Sequence, residues 1–148
     1  MKNTFEAAYQ QELKIRADYD AAEAAGSEEG KEAARTSIHE LWDGIEAKGA
    51  AYSRIYREYK NSRDRGNKDL DLHDVIWDKD VPDMIACMRE NGIKRFTFSS
   101  GWSSAVETAW LFRENGCWLE ALILINGDED FWHKGQYERI PAYVFSIR

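Results

Sequence analysis

The sequence predicts an α+β protein: an N-terminal antiparallel helical hairpin with a long second helix, then a small three- or four-stranded sheet covered by two helices. Three observations carry this. The first 50 residues are rich in Ala, Glu and Lys, with apolar residues at three- and four-residue steps. Past residue 68 the pattern changes to short alternating or fully apolar runs separated by Gly, Asn and Ser. The 148 residues are 43% hydrophobic with six Trp, enough for one real core and too apolar for a disordered chain.

Asn3 can cap a first helix, with Glu6 in box position, and Phe5, Ala8, Tyr9, Leu13, Ala17, Ala21 and Ala24 form its stripe. Gly26 stops that helix and Ser27 caps the next, whose stripe is Ala34, Ile38, Leu41, Trp42 and Ile45. Tyr52, Ile55, Tyr56 and Tyr59 continue the stripe in phase beyond Gly49, so one helix over 28–62, with room for a kink at Gly49, is expected in preference to two separate helices. At ~1.5 Å per residue it would be ~50 Å long and form an arm. The arm takes residues 1–62, a linker 63–71, and the sheet domain 72–148, all in one cooperative unit.

In the second half, 72–77 reads as one short strand. Asp80 can cap a helix with Pro82 in its first turn and Met84, Ile85 and Met88 inward. Residues 94–99 alternate, with Phe96 and Phe98 on one face of a strand. Ser103 or Ser104 then opens a helix that Gly116 ends. The apolar run 118–125 reads as a buried strand, Asn126 and Gly127 as a turn, and 137–147 as a last strand, with Pro141 arguing for an edge position.

The formal charge is −7, unevenly spread. Residues 1–48 carry −5, 49–68 carry +4, 69–92 carry −5 and 93–148 carry −1. No apolar run reaches the ~18–20 residues a membrane span needs, and no signal peptide is recognisable. Cys87 and Cys117 are too few for a disulfide scaffold and lack metal spacing, so a cytoplasmic location is expected. Secreted mini-proteins, membrane spans and zinc ribbons are excluded.

The most distinctive stretch runs from Phe96 to Trp110. A strand leads through Ser99, Ser100, Gly101, Trp102, Ser103 and Ser104 into a helix. Free N–H groups and hydroxyls there could hold a phosphate, with Trp102 stacking on a base or sugar. The simpler reading is capping, since Ser104 and Glu107 form a capping box. Neither a P-loop nor a nucleophile elbow is present. His39, His73 and His133 follow no ligand spacing, so no metal, no cofactor and no catalytic residue is expected. The basic segment carries Arg54, Arg57, Lys60, Arg63, Arg65 and Lys68 among tyrosines. Those tyrosines lie on the stripe inferred to be buried, and the acidic chain opposes a polyanion, so direct nucleic-acid binding is disfavoured. The acidic run of Asp69, Asp71, Asp74, Asp78, Asp80 and Asp83 could instead imitate a phosphate backbone, or be a solvated loop.

The segment 93–127, with its FTFSS strand end, WSSAVE helix start and NGC turn, resembles an uncharacterised family of small proteins carried by mobile elements and prophages of gut Gram-positive bacteria. The resemblance covers about a quarter of the chain and implies a genetic neighbourhood, not an activity. Small acidic proteins in that neighbourhood are often accessory factors, among them inhibitors of host defence nucleases.

The favoured reading is therefore a small acidic, non-enzymatic binding protein with a protein partner, extending to an anti-CRISPR-like inhibitor of a nucleic-acid-handling enzyme. Its expected contact residues are Arg54, Arg57, Lys60, Arg63, Asp69, Asp71, Asp74, Trp102 and Trp132. One alternative is a phosphate- or nucleotide-binding domain using 99–104. Another is nucleic-acid binding through 54–68.

Overall fold

The computed structural model describes residues 2–74 and 78–148. Among them are five α-helices and a four-stranded mixed sheet, so the α+β class stands. Helix α1 (Thr4–Ala24) starts where Asn3 Oδ1 accepts from the Phe5 and Glu6 N–H groups at 3.0 and 3.1 Å. Glu6 does not return the bond to Asn3. Its carboxylate accepts instead from Arg63 and from the Tyr59 hydroxyl. Helix α2 (Glu28–Glu46) starts at Ser27, whose Oγ takes the Gly30 N–H at 3.0 Å, and packs along α1.

The continuous helix expected over 28–62 is two helices. α2 ends at Glu46, and α3 spans Ala50–Asp64. Gly49 between them has φ +109° and ψ +166°, a conformation essentially closed to residues with a Cβ. The turn directs the second half of the stripe onto α1 instead of beyond it. Tyr52 stacks on Phe5 with ring centroids 4.5 Å apart, and Tyr59 meets Tyr9 edge-on at 6.4 Å.

Strand β1 (Asp71–His73) crosses through α4 (Val81–Glu90) to the parallel strand β2 (Arg95–Ser99). Of the expected first strand, Val75, Ile76 and Trp77 lie outside the described residues. Helix α5 (Ala105–Glu114) leads into β3 (Cys117–Glu129), and the hairpin returns as β4 (Tyr137–Ile147). The strand order is β1-β2-β4-β3. β4 is thus central, not at an edge. Its last β2 partner toward Pro141 is the Tyr143–Phe98 pair, so Pro141 stands past the end of β2, where no N–H is required.

Asn126 and Gly127 do not turn the chain. β3 runs on to Glu129 through a register shift, and the side-chain amide of Asn67 bonds both backbone groups of Asn126 at 2.8 and 2.9 Å. Nor is the apolar run buried. Every residue from Trp118 to Leu124 is exposed, because β3 is an outer strand.

The helices and the sheet share one hydrophobic core. Phe112 of α5 stands edge-on to Phe96 and Phe98 at 5.2 and 5.3 Å, and Phe96 stacks on Phe145. Phe5, Tyr56, Leu72 and Met88 extend the same cluster into the helices. The start of α1 is fixed against the turn after α4, where the Thr4 N–H donates to Asn91 O at 3.0 Å. Gly92 allows that approach: a Cβ there would lie 2.5 Å from the Lys2 carbonyl oxygen. Cys117 is fully buried, and burial pushes its thiol up to about 11, while Cys87 lies in α4.

Candidate functional site

The parallel strands β1 and β2 end side by side, and at their ends lies a connected polar cluster. Alternation in the sequence DLDLH sends Leu70 and Leu72 into the core, 1% and 0% exposed. Asp71 is also buried, and its two carboxylate oxygens accept from Thr97 Oγ1 at 2.7 Å and Ser99 Oγ at 2.6 Å. Its own N–H donates to Ser62 Oγ. His73 Nδ1 lies 2.7 Å from Ser99 Oγ, and His73 Nε2 lies 2.9 Å from Asp74 Oδ2. The Ser99 hydroxyl is committed to Asp71, so its oxygen accepts from the imidazole. Asp74, at φ +50°, also takes the Gly101 N–H on Oδ1 at 3.1 Å. Nearby Glu58 of α3 is pushed above the usual carboxylate range by burial and then by the Asp71 charge.

A cleft of about 660 Å³ opens beside this cluster, lined by Asp74, Asp78, Lys79, Phe98, Ser100 and Trp102, among others. It lies at the carboxyl ends of the parallel pair, where α/β sheets commonly place ligand sites. Of the serines singled out from sequence, Ser99 is buried in the cluster, while Ser100 and Ser104 line the cleft and Gly101, Trp102 and Ser103 are exposed. Neither expected side-chain cap is made. Ser104 stands at the start of α5 and Asp80 at the start of α4 without a capping hydrogen bond. Ser100 Oγ accepts instead from the Trp102 N–H at 3.1 Å, and the Asp80 carboxylate pairs with Arg54 at 3.2 Å.

The basic segment is not the free end of an arm. Besides Arg54 with Asp80, Arg63 bonds Glu6 at 3.2 Å, and Lys60 lies 3.4 Å from Asp64. Arg57 is exposed. Burial raises the Glu6 and Asp64 carboxyls, but hydrogen bonds from Arg63 and Tyr59 to Glu6, and from Arg16 and Tyr9 to Asp64, outweigh it and hold both below their usual values. The acidic run is likewise dispersed. Asp69 pairs with Arg95 at 3.0 Å, Asp71 is buried, Asp74 holds His73 and Gly101, and Asp78 and Asp83 are exposed.

The exposed aromatics form a second kind of site. Trp102, Trp110, Phe131 and Trp132 are 66%, 61%, 88% and 83% exposed. Phe131 and Trp132 stand on the β3–β4 tip, their rings edge-on at 5.0 Å. The tip is hydrogen-bonded internally. The Asp130 N–H donates to Gln136 O at 2.7 Å, Asp130 Oδ1 accepts from the Trp132 N–H at 2.8 Å, and Glu129 Oε1 accepts from the Gly135 N–H at 2.8 Å. Bonds from the Trp132 N–H and His133 keep the Asp130 carboxyl below its usual range. Among the described residues no three His, Cys, Asp or Glu side chains gather as a metal site, and no helix is long and apolar enough to cross a membrane.

No curated protein and no solved structure matches the chain. A family model does, and its match begins within α3 and runs through β4, taking in the polar cluster, the cleft and the whole sheet but not the α1–α2 hairpin. Over residues 54–147 the chain belongs to the DUF7698 family, a domain of unknown function.

Proposed function

We propose that this protein is a non-enzymatic binding module that engages a protein partner through the aromatic tip of the β3–β4 hairpin. The observation that carries the reading is Phe131 and Trp132, both more than four-fifths exposed on a turn held by its own hydrogen bonds. Large aromatic side chains on a preorganised turn lose little freedom on docking and dominate interface energetics. Asp128, Glu129 and Asp130 precede them, with Lys134 the one fixed cation in the turn. An acidic, aromatic prong fits a basic groove with an apolar floor, the kind of surface that nucleic-acid-handling enzymes present. Its occupation would inhibit such an enzyme, and a mobile-element origin would give that inhibition a use against host defence.

The test compares wild type with Phe131→Ala/Trp132→Ala in pull-downs from bacterial lysate and in nuclease inhibition assays. Neither side chain is part of the core, so the variant should fold and melt like wild type. A nucleic-acid-handling protein captured and inhibited by wild type, and neither captured nor inhibited by the variant, supports the proposal. Equal capture by both overturns it.

The cleft beside Trp102 favours a second reading, a small-ligand site. Asp74 already occupies the Gly101 N–H and, with Asp78, brings two carboxylates to the lining. That chemistry suits the sugar and base of a nucleotide better than its phosphate. A thermal shift with nucleosides, lost in Trp102→Ala, is the expected result.

A further inference from the structure

Among the described residues strand β3 pairs only with β4, and its other margin is open along the middle of its length. Pro141 stands opposite Leu124. Proline has no N–H to give, so this is a pair whose backbone groups point away from each other. Alternation then turns the N–H and C=O of Leu122, Leu124 and Asn126 toward the open margin. Two further contacts agree with that assignment. Arg139 Nη2 donates to the Leu124 carbonyl at 3.1 Å, leaving its second lone pair, and the Asn67 amide takes both groups of Asn126. Asn67 therefore closes the margin at Asn126. Leu122 keeps both of its groups outward.

The same stretch is apolar on both faces. Leu119, Leu122 and Leu124 are 54%, 66% and 56% exposed, and Trp118 and Ile123 are 40% and 36% exposed. Helix α5 packs beside β3 and adds the exposed side chain of Trp110. A long, uncapped apolar edge of this kind is normally paired or covered.

We propose that β3 is the seam of a homodimer, pairing antiparallel with β3 of a second copy about a two-fold axis at Leu122 and joining two four-stranded sheets into one of eight. This rests on the β3 edge, not on the hairpin tip. Three features select a second copy as the occupant. An isologous antiparallel strand pair sets a central residue against its own mate, and Leu122, with both backbone groups outward, can exchange two hydrogen bonds with Leu122 of the second copy there. The ladder is short: on one side of Leu122 it stops before the closed Asn126, and on the other it ends at Glu120, which the register shift between Leu119 and Ala121 leaves without a β4 partner. Copies carrying −7 each repel one another over most of their surface. Between residues 117 and 127 the only charged side chain is Glu120, and its carboxylate already accepts from Ser146 Oγ at 2.6 Å. Finally, the exposed parts of these six side chains sum to the order of 600 Å² per copy, so the pair can bury at most ~1,200 Å² of side chain, which reaches the low end of specific interfaces.

The experiment uses the full chain and analytical ultracentrifugation from micromolar to millimolar concentration. Wild type is expected to sediment as a dimer, and Leu122→Lys and Leu122→Glu each as monomers with unchanged circular dichroism. Because the axis sets residue 122 against itself, mixing the two variants should restore a dimer, and only a mixed one. A monomeric wild type overturns the seam, as does a dimer that survives both substitutions. A wild-type dimer that the mixture fails to restore overturns the two-fold at Leu122. None of these results depends on Phe131 or Trp132, so the hairpin-tip reading stands or falls separately.

Discussion

The Asp71 carboxylate lies 2.6 Å from the Ser99 hydroxyl and 2.7 Å from that of Thr97, tying the short first strand to its parallel neighbour from inside the fold. With only three residues in β1, the ladder alone supplies few bonds. The carboxylate adds two that are screened from water, and hydrogen bonds to a buried charge are the stronger kind.

Asp71→Ala should therefore destabilise the protein markedly. It removes the shared acceptor of two buried hydroxyls, leaving Ser99 with only His73 and Thr97 with only the Leu70 carbonyl at 3.4 Å. A buried group left unsatisfied costs ~1–3 kcal/mol. Asp71→Asn retains an acceptor and a donor and should lose less. Urea denaturation measures both. An alanine variant as stable as wild type would mean that the hydroxyls find water and that β1 is not held this way.

Gly49→Ala distinguishes a turn from a kink. At φ +109° and ψ +166° a Cβ is strained even though nothing lies within 4 Å of it, and the expected loss is ~1–3 kcal/mol. In a continuous helix the same change would gain ~1 kcal/mol. The sign of the shift in melting temperature decides.

Glu58 and Asp64 should respond to acid in opposite directions. Burial and the Asp71 charge raise the Glu58 carboxyl in the folded state, so its charged form costs stability at neutral pH. That cost fades as pH falls through the raised folded value and is gone below the unfolded one. Glu58→Gln should melt above wild type at neutral pH, with the gap closing on acidification. Asp64 is held low despite its burial, so its contribution is full above the ordinary aspartate value and is lost as pH falls through the lowered one. Asp64→Asn should flatten the acid limb of the stability curve. Parallel pH profiles for wild type and either variant would refute the corresponding assignment.

Reversing the charge of Arg54, Arg57, Lys60 and Arg63 together should cost stability, because Arg63 meets Glu6 and Arg54 meets Asp80. Each partly exposed pair contributes only up to ~1 kcal/mol, but reversal replaces attraction by repulsion at both. If all four were free surface charges, the quadruple Glu variant would melt like wild type.

What the sequence made legible was periodicity. The alternation of Phe96 and Phe98 marks β2, the three- and four-residue steps mark α1 and α2, and Asn3 and Ser27 cap as their chemistry requires. Gly49 was harder to read, since its tyrosine stripe stays in phase on both sides and the turn shows only in the backbone angle. Pro141 argued for an edge because periodicity says nothing of where a neighbouring strand stops. The run 118–124 argued for burial because composition cannot tell a covered strand from an outer one. The polar cluster had a signal in DLDLH, whose alternation sets Leu70 and Leu72 inward, but its partners Thr97 and Ser99 lie 26 and 28 residues from Asp71 and meet it only through the strand register. The exposed Trp102 and Trp132 were identifiable from the surplus of tryptophan, though the hydrogen bonds that hold the tip were not.

The central place of β4 also governs how the sheet is made. During synthesis β1 and β2 emerge first, with one flank of β2 unpaired, and the strand that fills this flank is the last of the four. It follows β2 by about 40 residues, or roughly 2–8 s at the ~5–20 residues per second of translation. For that interval the phenylalanines of β2 have no Phe145 to stack on, and the apolar run of β3 emerges before β4 can pair with it. The nascent chain is therefore most adhesive late in its own synthesis, when a neighbouring nascent copy on the same message is the nearest surface able to pair with it.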